Sequence, residues 1–263
     1  MALVPAGARG FDIRQDSAKR DDFRRCGVHG CATAAEALAG AIVVLSLVTA
    51  DQALAAAQTD APHLAAGALW LDLNSVSPDT KRAAAAAVEA AGGGYVDVAV
   101  MAPVLPAQRG VPLLVAGPHG EAGLAALAEI GFTNARAVAG PVGAAAAIKM
   151  IRSVMIKGIE ALSAECALAA DAAGVLPDVL ASLGSEWTAR FDYNLDRMMV
   201  HGTRRAAEMG EVVATLDALG TGSAMARATR NRQAALGALG LSPPPGLAAK
   251  LEALHGRHRE QAA

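Results

Sequence analysis

The order of apolar and polar residues divides the chain into two halves with different patterns. Through residue 142, short runs rich in β-branched residues alternate with alanine-rich stretches. Strands that alternate with helices are typical of βαβ units and a mainly parallel sheet. The predicted strands are Arg9–Ile13, Ile42–Val48, Leu69–Leu73, Tyr95–Val100, Leu113–Ala116 and Arg136–Val138. Residues 1–142 are therefore predicted to form an α/β domain.

Residues that typically start helices support this alternation. Thr33 and Glu36 form a capping-box pattern, in which each side chain bonds a free backbone N–H group at the helix start. Ser77 followed by Pro78 gives a capping residue and a proline at the first helical position. Each pattern indicates that a helix begins at that point of the chain.

Residues 143–263 show no strand pattern, and their apolar residues recur at helical spacing. The first helix is predicted over Ala144–Ala173, with one buried face. That face consists of Ile148, Ile151, Met155, Ile159 and Leu162. The other predicted helices are Pro177–Leu183, Trp187–Val200, Thr203–Leu219, Ala224–Leu239 and Leu247–Arg259. This half is therefore predicted to be an all-helical domain.

Composition and charge argue against several kinds of partner. The net charge is −2, and no basic tract is interleaved with aromatic residues, so a nucleic-acid partner is not expected. The apolar run over residues 37–50 is too short to span a bilayer, and the start lacks the pattern of a signal peptide. The cytoplasm is therefore the expected compartment. Cys26 and Cys31 lie on either side of His29 without a second pair of ligands, so no metal site is predicted.

Parallel sheets of this kind often bind a dinucleotide, and such a site has sequence requirements. The first strand leads through G-x-G-x-x-G into a helix whose N-terminus binds the pyrophosphate. The chain does not contain this pattern, and Gly117–Gly123 has the wrong spacing for it, so an ordinary turn is predicted there. We therefore interpret residues 1–142 as a Rossmann-type domain without its first strand and glycine loop.

Asp12 lies where the second strand of such a domain would end. An acidic residue at that position accepts hydrogen bonds from the adenosine ribose. The alternative is a solvated aspartate at a strand end. Asp12 favours NAD, whose ribose has a free 2′-hydroxyl group, whereas Arg14 would pair with the 2′-phosphate of NADP. Both cofactors therefore stay open.

Three segments resemble motifs of one enzyme family. Leu71–Pro78 is similar to a strand that ends beside the nicotinamide, and Tyr95–Pro103 to a segment that lines the substrate pocket. Gly140–Ser153 is similar to the start of an interdomain helix with a catalytic lysine. The chain resembles the β-hydroxyacid dehydrogenase family, which includes 3-hydroxyisobutyrate dehydrogenase and 6-phosphogluconate dehydrogenase. The segment His201–Gly210 resembles a branch described as NAD(P)-binding phosphogluconate dehydrogenase-like.

The resemblance implies an NAD(P)-dependent oxidoreductase that moves hydride between the nicotinamide and a small hydroxyacid. Lys149 would be the general acid/base, and Ser153 stands where the family usually has asparagine. Both side chains are expected to face a cleft between the domains. Val48, Thr49 and Ser75 would lie along the cofactor.

The resemblance also bears on the substrate and on assembly. Met101 and Ala102 would contact the substrate, and Met101 replaces a serine of the family, which points to a less polar substrate. A homodimer through the helical domain is implied as well. Arg204 and Arg205 would either bind an anionic group or be exposed helix arginines.

Each of these residues also has an ordinary structural interpretation. A lysine on a helix is usually solvated, and Ser75 and Thr49 are both typical of turns and helix caps. The alternative function is a non-catalytic truncated remnant that acts as a helical dimerisation or binding protein. We expect the first strand and glycine loop either to be encoded upstream of Met1 or to have been lost.

Overall fold

The computed structural model describes the backbone of residues 7–262 and the side chains through Gly256. It consists of two compact units that divide between Met150 and Ile151. No helix in these residues is both long enough and apolar enough to cross a membrane.

The first unit alternates strands and helices, as predicted. Its elements are β1 (Arg9–Gly10), α1 (Ser17–Cys26), β2 (His29–Gly30), α2 (Ala34–Leu38), β3 (Val43–Ser46), α3 (Ala53–Asp60), β4 (Leu69–Asp72), α4 (Pro78–Ala90), β5 (Gly94–Val100), α5 (Val104–Ala107), β6 (Leu113–Ala116), α6 (Gly120–Ile130) and β7 (Ala135–Ala137). Single turns of 3-10 helix cover Ala50–Gln52, Ala61–His63 and Gln108–Gly110.

The strands form two separate sheets. β1 pairs in parallel with β2, and β3 to β7 form a five-stranded sheet in chain order. Within it β3, β4 and β5 are parallel, β6 is antiparallel to β5, and β7 is parallel to β6. In the described part of the chain, no strand pairs with the second edge of β1 or of β3. The strands predicted over Arg9–Ile13 and Ile42–Val48 are shorter in the structure, where each lies at such an edge.

The core of the first unit lies on both faces of the five-stranded sheet. Neighbouring residues of a strand point to opposite faces, so Trp70 and Leu71 belong to different clusters. Trp70 lies beside Tyr95 under α4, whereas Leu71 lies beside Val96 under Leu127 of α6. Burial on both faces explains why β4 and β5 are almost continuously apolar. The few polar residues inside these strands are therefore informative.

The second unit is helical, as predicted. The helices are α7 (Ala144–Ala172), whose first turns belong to the first unit, α8 (Leu176–Leu183), α9 (Trp187–Ala218), α10 (Ala224–Ala238) and α11 (Leu247–Ala262). The prediction of two helices over Trp187–Val200 and Thr203–Leu219 is wrong, because α9 runs through His201 and Gly202 without a break. Gly202 lies inside the helix because the backbone of α10 passes directly against it.

The prediction that the apolar face of α7 is buried is also wrong for this chain. Ile151, Met155 and Leu162 are 50%, 64% and 56% exposed, respectively. The buried side chains of the second unit include instead Ser153, Lys157 and Glu160. Helical spacing separates the two faces of a helix, but it does not say which of them lies inward.

Charged partners explain why the polar face of α7 is buried. Arg205 of α9 binds the carboxylate of Glu160 with two nitrogens, and the Nε–Oε2 distance is 3.0 Å. Lys157 Nζ lies 2.9 Å from Glu208 Oε2, so buried charges face opposite charges. Arg205 is therefore neither an exposed helix arginine nor free to bind an anion, while Arg204 is exposed and pairs with Glu208.

Candidate functional site

Lys149 and Ser75 lie in contact in the first unit. The side-chain nitrogen of Lys149 donates a hydrogen bond to Ser75 Oγ across 74 positions of sequence. Lys149 lies in the second turn of α7, and Ser75 lies in the loop between β4 and α4. The sequence predicted functional roles for both residues but did not predict their contact. Ala145, in the first turn of α7, packs against Ala99 of β5, and this packing brings Lys149 to the loop that follows the neighbouring strand β4.

Asn74 holds the loop of Ser75 against the end of β3. Its backbone N–H donates to Asp72 Oδ1 at 2.8 Å, and its side-chain nitrogen donates to Ser46 Oγ at 2.9 Å. Its side-chain oxygen accepts a hydrogen bond from Val48 N at 2.7 Å. The nitrogen and the oxygen of the Asn74 side chain therefore both bond to the end of β3 and the residues that follow it, which ties the loop after β4 to the loop after β3.

Three fully buried charged residues lie behind this loop. Lys81 Nζ is 3.1 Å from Asp72 Oδ1 and 3.5 Å from Asp97 Oδ1. It also donates to the carbonyl oxygen of Asp72 at 2.6 Å. Two carboxylates thus share one ammonium group at positions where none of the three side chains is more than 1% exposed. We call these three residues the buried triad.

Tyr95 completes the surroundings of Asp72. Its hydroxyl group donates to Asp72 Oδ2 at 2.5 Å. Burial raises the pKa of Tyr95 far above its usual value, and the charge of Asp72 raises it further. The phenol therefore stays protonated and serves as a permanent donor to the carboxylate.

The second oxygen of Asp97 lies at the N-terminus of α7. It accepts hydrogen bonds from the backbone N–H groups of Gly143, Ala145 and Ala146, at 3.0, 3.1 and 3.2 Å. The first N–H groups of a helix have no partner within the helix and carry its positive dipole end. The carboxylate of Asp97 therefore caps the helix that carries Lys149.

Asn74 and the buried triad had no predicted role, although three of these residues lie in the segments that resemble the family motifs. A usable signal was present, because Asp72 stands between Leu71 and Leu73, and Asp97 between Val96 and Val98. A carboxylate inside a strand that is buried on both faces needs a cationic or N–H partner. The position of Lys81 as that partner requires the packing of α4 on the sheet, which the sequence does not give.

Asp12, the predicted ribose acceptor, follows β1. Its Oδ1 accepts from the backbone N–H of Arg14 at 2.8 Å, and its Oδ2 lies 3.1 Å from Lys19 Nζ. Burial acts to raise the pKa of Asp12, but the hydrogen bond from Arg14 and the charge of Lys19 bring it below its ordinary value. Asp12 is therefore an ionised acceptor at neutral pH, which suits a ribose hydroxyl group.

The other predicted site residues lie at several places. Val48 and Thr49 are exposed after β3, and Thr49 makes no side-chain capping bond to the following 3-10 turn. Met101 is half-buried after β5 together with Ala102, and Met101 N donates to the carbonyl oxygen of Pro112 at 2.9 Å. Ser153 is buried in the second unit, one helical turn beyond Lys149 on α7.

The first unit fits part of a dinucleotide. An ionised acceptor, Asp12, follows β1, and an exposed turn follows β3, as a dinucleotide site at the ends of parallel strands would require. In the described residues 7–262, none of the turns that lead from β1, β2, β3, β4 or β5 into the next helix is glycine-rich, as a pyrophosphate site would require. The turn Gly117–Gly120 follows β6, which is antiparallel to β5. This turn therefore lies at the end of the sheet opposite to the carboxyl ends of β3, β4 and β5.

His29, Cys31 and Glu36 lie together after β2, with one potential ligand atom from each residue within 4.8 Å of the others. Glu36 donates its own N–H to Thr33 Oγ1 at 3.1 Å, so the predicted cap at Thr33 is confirmed. The Glu36 side chain accepts from Ala32 N at 2.9 Å and not from the N–H of Thr33, so the reciprocal bond of a capping box lies one residue earlier than predicted. Burial raises the pKa of the Cys31 thiol, and the charge of Glu36 raises it further. Helix capping accounts for the position of Glu36, and we assign no metal chemistry to the group.

Comparisons with known proteins agree with this geometry. Residues 6–131 match the model of the NAD binding domain of 6-phosphogluconate dehydrogenase, and residues 170–236 match a domain of unknown function, DUF1932. A conserved hypothetical protein from Sinorhizobium meliloti 1021 is 38% identical, with a TM-score of 0.69 over 93% of this chain and 87% of that one. The chain belongs to the β-hydroxyacid dehydrogenase family. Its cofactor is accordingly NAD or NADP.

Two further solved structures are similar to this chain. A conserved protein of unknown function, described as structurally similar to 3-hydroxyacid dehydrogenases, is 28% identical, with a TM-score of 0.65 over 87% of this chain and 86% of that one. The 3-hydroxyisobutyrate dehydrogenase of Mycobacterium tuberculosis is 18% identical, with a TM-score of 0.70 over 94% and 90%, which supports the fold alone. No curated protein matches the chain.

Proposed function

We propose that this β-hydroxyacid dehydrogenase oxidises a small hydroxyacid with Lys149 as general base and, in the reverse direction, as general acid. The observation that carries the proposal is the hydrogen bond from Lys149 to Ser75, because it holds the amine at the carboxyl ends of β3 and β4. The carboxyl ends of parallel strands are where nucleotides bind in open α/β sheets. The amine thus lies where a reacting hydroxyl group would meet the cofactor.

The proposed reaction balances with one base. The neutral amine of Lys149 takes the hydroxyl proton, the carbon–hydrogen bond breaks with its electron pair, and a carbonyl group forms. The nicotinamide, when bound, supplies the acceptor for that hydride. Ser75 fixes the direction of the amine because its oxygen accepts from Lys149. The hydroxyl proton of Ser75 then stays available for a bond to a bound group.

The cofactor and substrate contacts follow from the strand ends. Asp12 binds the adenosine ribose, and Val48 and Thr49 line the cofactor where they are exposed after β3. Met101 and Ala102, half-buried after β5, form the apolar side of the substrate pocket. A thioether in place of a hydroxyl group favours a substrate with a less polar group at that point. Ser153 replaces the family's asparagine on α7.

The test of this function separates binding from chemistry. Lys149→Ala should bind NAD or NADP as the wild-type protein does, whereas kcat should fall about 100-fold or more, the usual effect of removing a general base. Ile148→Ala, at the exposed neighbouring residue, should change neither quantity. Calorimetric titration with each cofactor and initial rates with a series of hydroxyacids measure both effects.

Two outcomes contradict the proposal. Full turnover of Lys149→Ala would exclude the lysine as the base. If the wild-type chain binds neither cofactor, the alternative gains support, namely a non-catalytic protein that acts through its helical domain.

We also propose that two copies of the chain pair through α7. Ile151, Met155 and Leu162 recur at spacings of four and seven residues, so they form one exposed apolar stripe along the helix. Exposed contiguous apolar surface of this kind is typical of subunit interfaces. A second copy suits the stripe because symmetric homodimers bury the same surface on both subunits.

A further inference from the structure

We propose that the buried triad positions both partners of the Lys149–Ser75 contact. In this proposal Asp97 fixes the helix that carries Lys149, Asp72 fixes the loop that carries Ser75, and Lys81 bridges the two carboxylates. The catalytic consequence rests on the proposed function, whereas the positioning itself is a property of the first unit. These three residues act on Lys149 and Ser75 through the helix and the loop that carry them, so they are positioning residues.

The helix of Lys149 depends on a distant residue for its cap. Gly143 precedes α7 and has no side chain that could bond the first N–H groups. Its φ is +98°, and a Cβ on this residue would lie only 3.0 Å from Pro78 Cβ, so there is no room for a side chain. Asp97 supplies the cap from 46 positions earlier in the chain. The start of α7 is therefore fixed to strand β5 and not to its own preceding loop.

The loop of Ser75 depends on the second carboxylate in the same way. Asp72 Oδ1 accepts the backbone N–H of Asn74, the residue directly before Ser75. The other oxygen of Asp72 is held by Tyr95. Asp72, with both carboxylate oxygens hydrogen-bonded, therefore fixes the backbone of Asn74 and with it the position of Ser75.

Lys81 makes the arrangement possible. Two ionised carboxylates in one buried site repel each other, and an uncompensated buried charge is strongly unfavourable. The ammonium group of Lys81 lies between Asp72 and Asp97 and offsets one of the two charges. The other charge is stabilised by the Tyr95 hydroxyl group on Asp72 and by the N–H groups at the start of α7 on Asp97. Lys81 thus links Asp97, which holds the helix of Lys149, to Asp72, which holds the loop of Ser75. This link keeps Lys149 and Ser75 at a fixed separation.

The distribution of lysines gives a direct measurement. The chain has five lysines, at positions 19, 81, 149, 157 and 250. Lys81, Lys157 and Lys250 are buried, so reductive methylation with ¹³C-formaldehyde should label mainly Lys19, Lys149 and the α-amino group of the chain. The resonance of Lys149 is assigned by its loss in Lys149→Arg. Lys19, on α1, is the internal control.

Two substitutions of Asp97 test the proposal, with Asp79→Ala on the exposed side of α4 as the control. Asp97→Ala removes the acceptor and should move the methyl resonance of Lys149 while that of Lys19 stays in place. Asp97→Asn retains an oxygen acceptor at nearly the same position and should restore the Lys149 resonance. In turnover, Asp97→Ala should lower kcat at least about tenfold with KM unchanged, because only the placement of the base is altered.

Each outcome decides the question. A folded Asp97→Ala protein with an unchanged Lys149 resonance and kcat would overturn the positioning role. If Asp97→Ala does not fold, the folded Asp97→Asn protein must show the wild-type Lys149 resonance, and its loss would also overturn the proposal. Selective movement of the Lys149 resonance in a protein without turnover would support the positioning role and contradict the proposed function.

Discussion

At the scale of single residues, buried charge in this protein occurs beside opposite charge. Glu160 accepts from Arg205 and also from Gln233 Nε2 at 2.9 Å, so its carboxylate is surrounded by donors. Glu208 pairs with Lys157, which is buried, and with Arg204, which is exposed. These pairs hold α7, α9 and α10 together through side chains that a hydropathy pattern assigns to the surface.

The two neighbouring arginines of α9 should differ widely in their effect on stability. Arg205→Ala leaves Glu160 charged and buried with only an amide donor, which should cost about 3–5 kcal/mol of unfolding free energy. Arg204→Ala removes an exposed partner of Glu208, which keeps Lys157, and should cost about 1 kcal/mol or less. Urea denaturation of both variants measures the difference. Equal losses of unfolding free energy in the two variants would show that the burial of Arg205 does not contribute to stability.

The pH dependence of the free energy of unfolding should also reveal the burial of Lys157. Burial lowers the pKa of Lys157, although the charge of Glu208 acts against this. The unfolded chain then holds this proton more tightly than the folded one, so folding stability rises with pH between the lowered pKa and the ordinary value of 10.5.

The measurement compares Lys157→Met with the wild type by urea denaturation from neutral pH up to 10.5, the ordinary pKa of lysine. The increase in unfolding free energy with pH that Lys157 causes in the wild type should be absent in Lys157→Met. Glu208 retains Arg204 in that variant, so its charge is not left without a partner. A free-energy difference that stays constant with pH would contradict the prediction.

At the scale of elements, the closest packing joins α9 and α10. Gly202 of α9 and Gly237 of α10 face each other at backbone contact, and a Cβ on Gly202 would lie 2.7 Å from Gly237 N. Gly210 lies in the same helix α9, but a Cβ there would meet nothing within 4 Å. The two glycines of α9, Gly202 and Gly210, therefore form a matched pair for substitution.

Gly202→Ala should destabilise the second unit by about 1–3 kcal/mol or more, because the backbones of α9 and α10 must separate. Gly210→Ala should stabilise the protein by up to about 1 kcal/mol, because alanine is the better helix former. Thermal unfolding followed by circular dichroism measures both. A Gly202→Ala protein as stable as the wild type would show that the crossing is looser than described.

The elements show how far the sequence could predict the fold and the site. Alternating runs predicted the ends of the central strands β4, β5 and β6 within one residue, and the capping patterns at Thr33 and Ser77 predicted the starts of α2 and α4. The short strand β2 and the continuity of α9 were missed, because both depend on neighbouring backbone and not on local pattern. Ser75 and Lys149 were predicted separately, whereas the buried triad that surrounds them arises only from tertiary packing.

At the scale of the whole molecule, the exposed stripe of α7 predicts the oligomeric state. A protein with Met155→Lys and Leu162→Lys should be a monomer where the wild type is a dimer, because two charges would be buried in the proposed interface. Leu105→Lys, at an exposed leucine of α5 in the first unit, should leave the dimer intact. Size-exclusion chromatography with light scattering measures the mass of each. A monomeric wild-type protein would contradict the homodimer.

The small sheet of β1 and β2 has a consequence for hydrogen exchange. Each of its strands contributes two residues, and α1 beside it has no buried residue, so few contacts oppose its opening. Phe23 of α1 lies over Gly10 and Gly30 and supplies much of the packing of this sheet. The amides of residues 9–30 should therefore exchange through local opening, while those of β4 and β5 exchange only when the whole unit unfolds. Asp12 belongs to the part that opens first, so a bound nucleotide should slow exchange there more than anywhere else in the first unit.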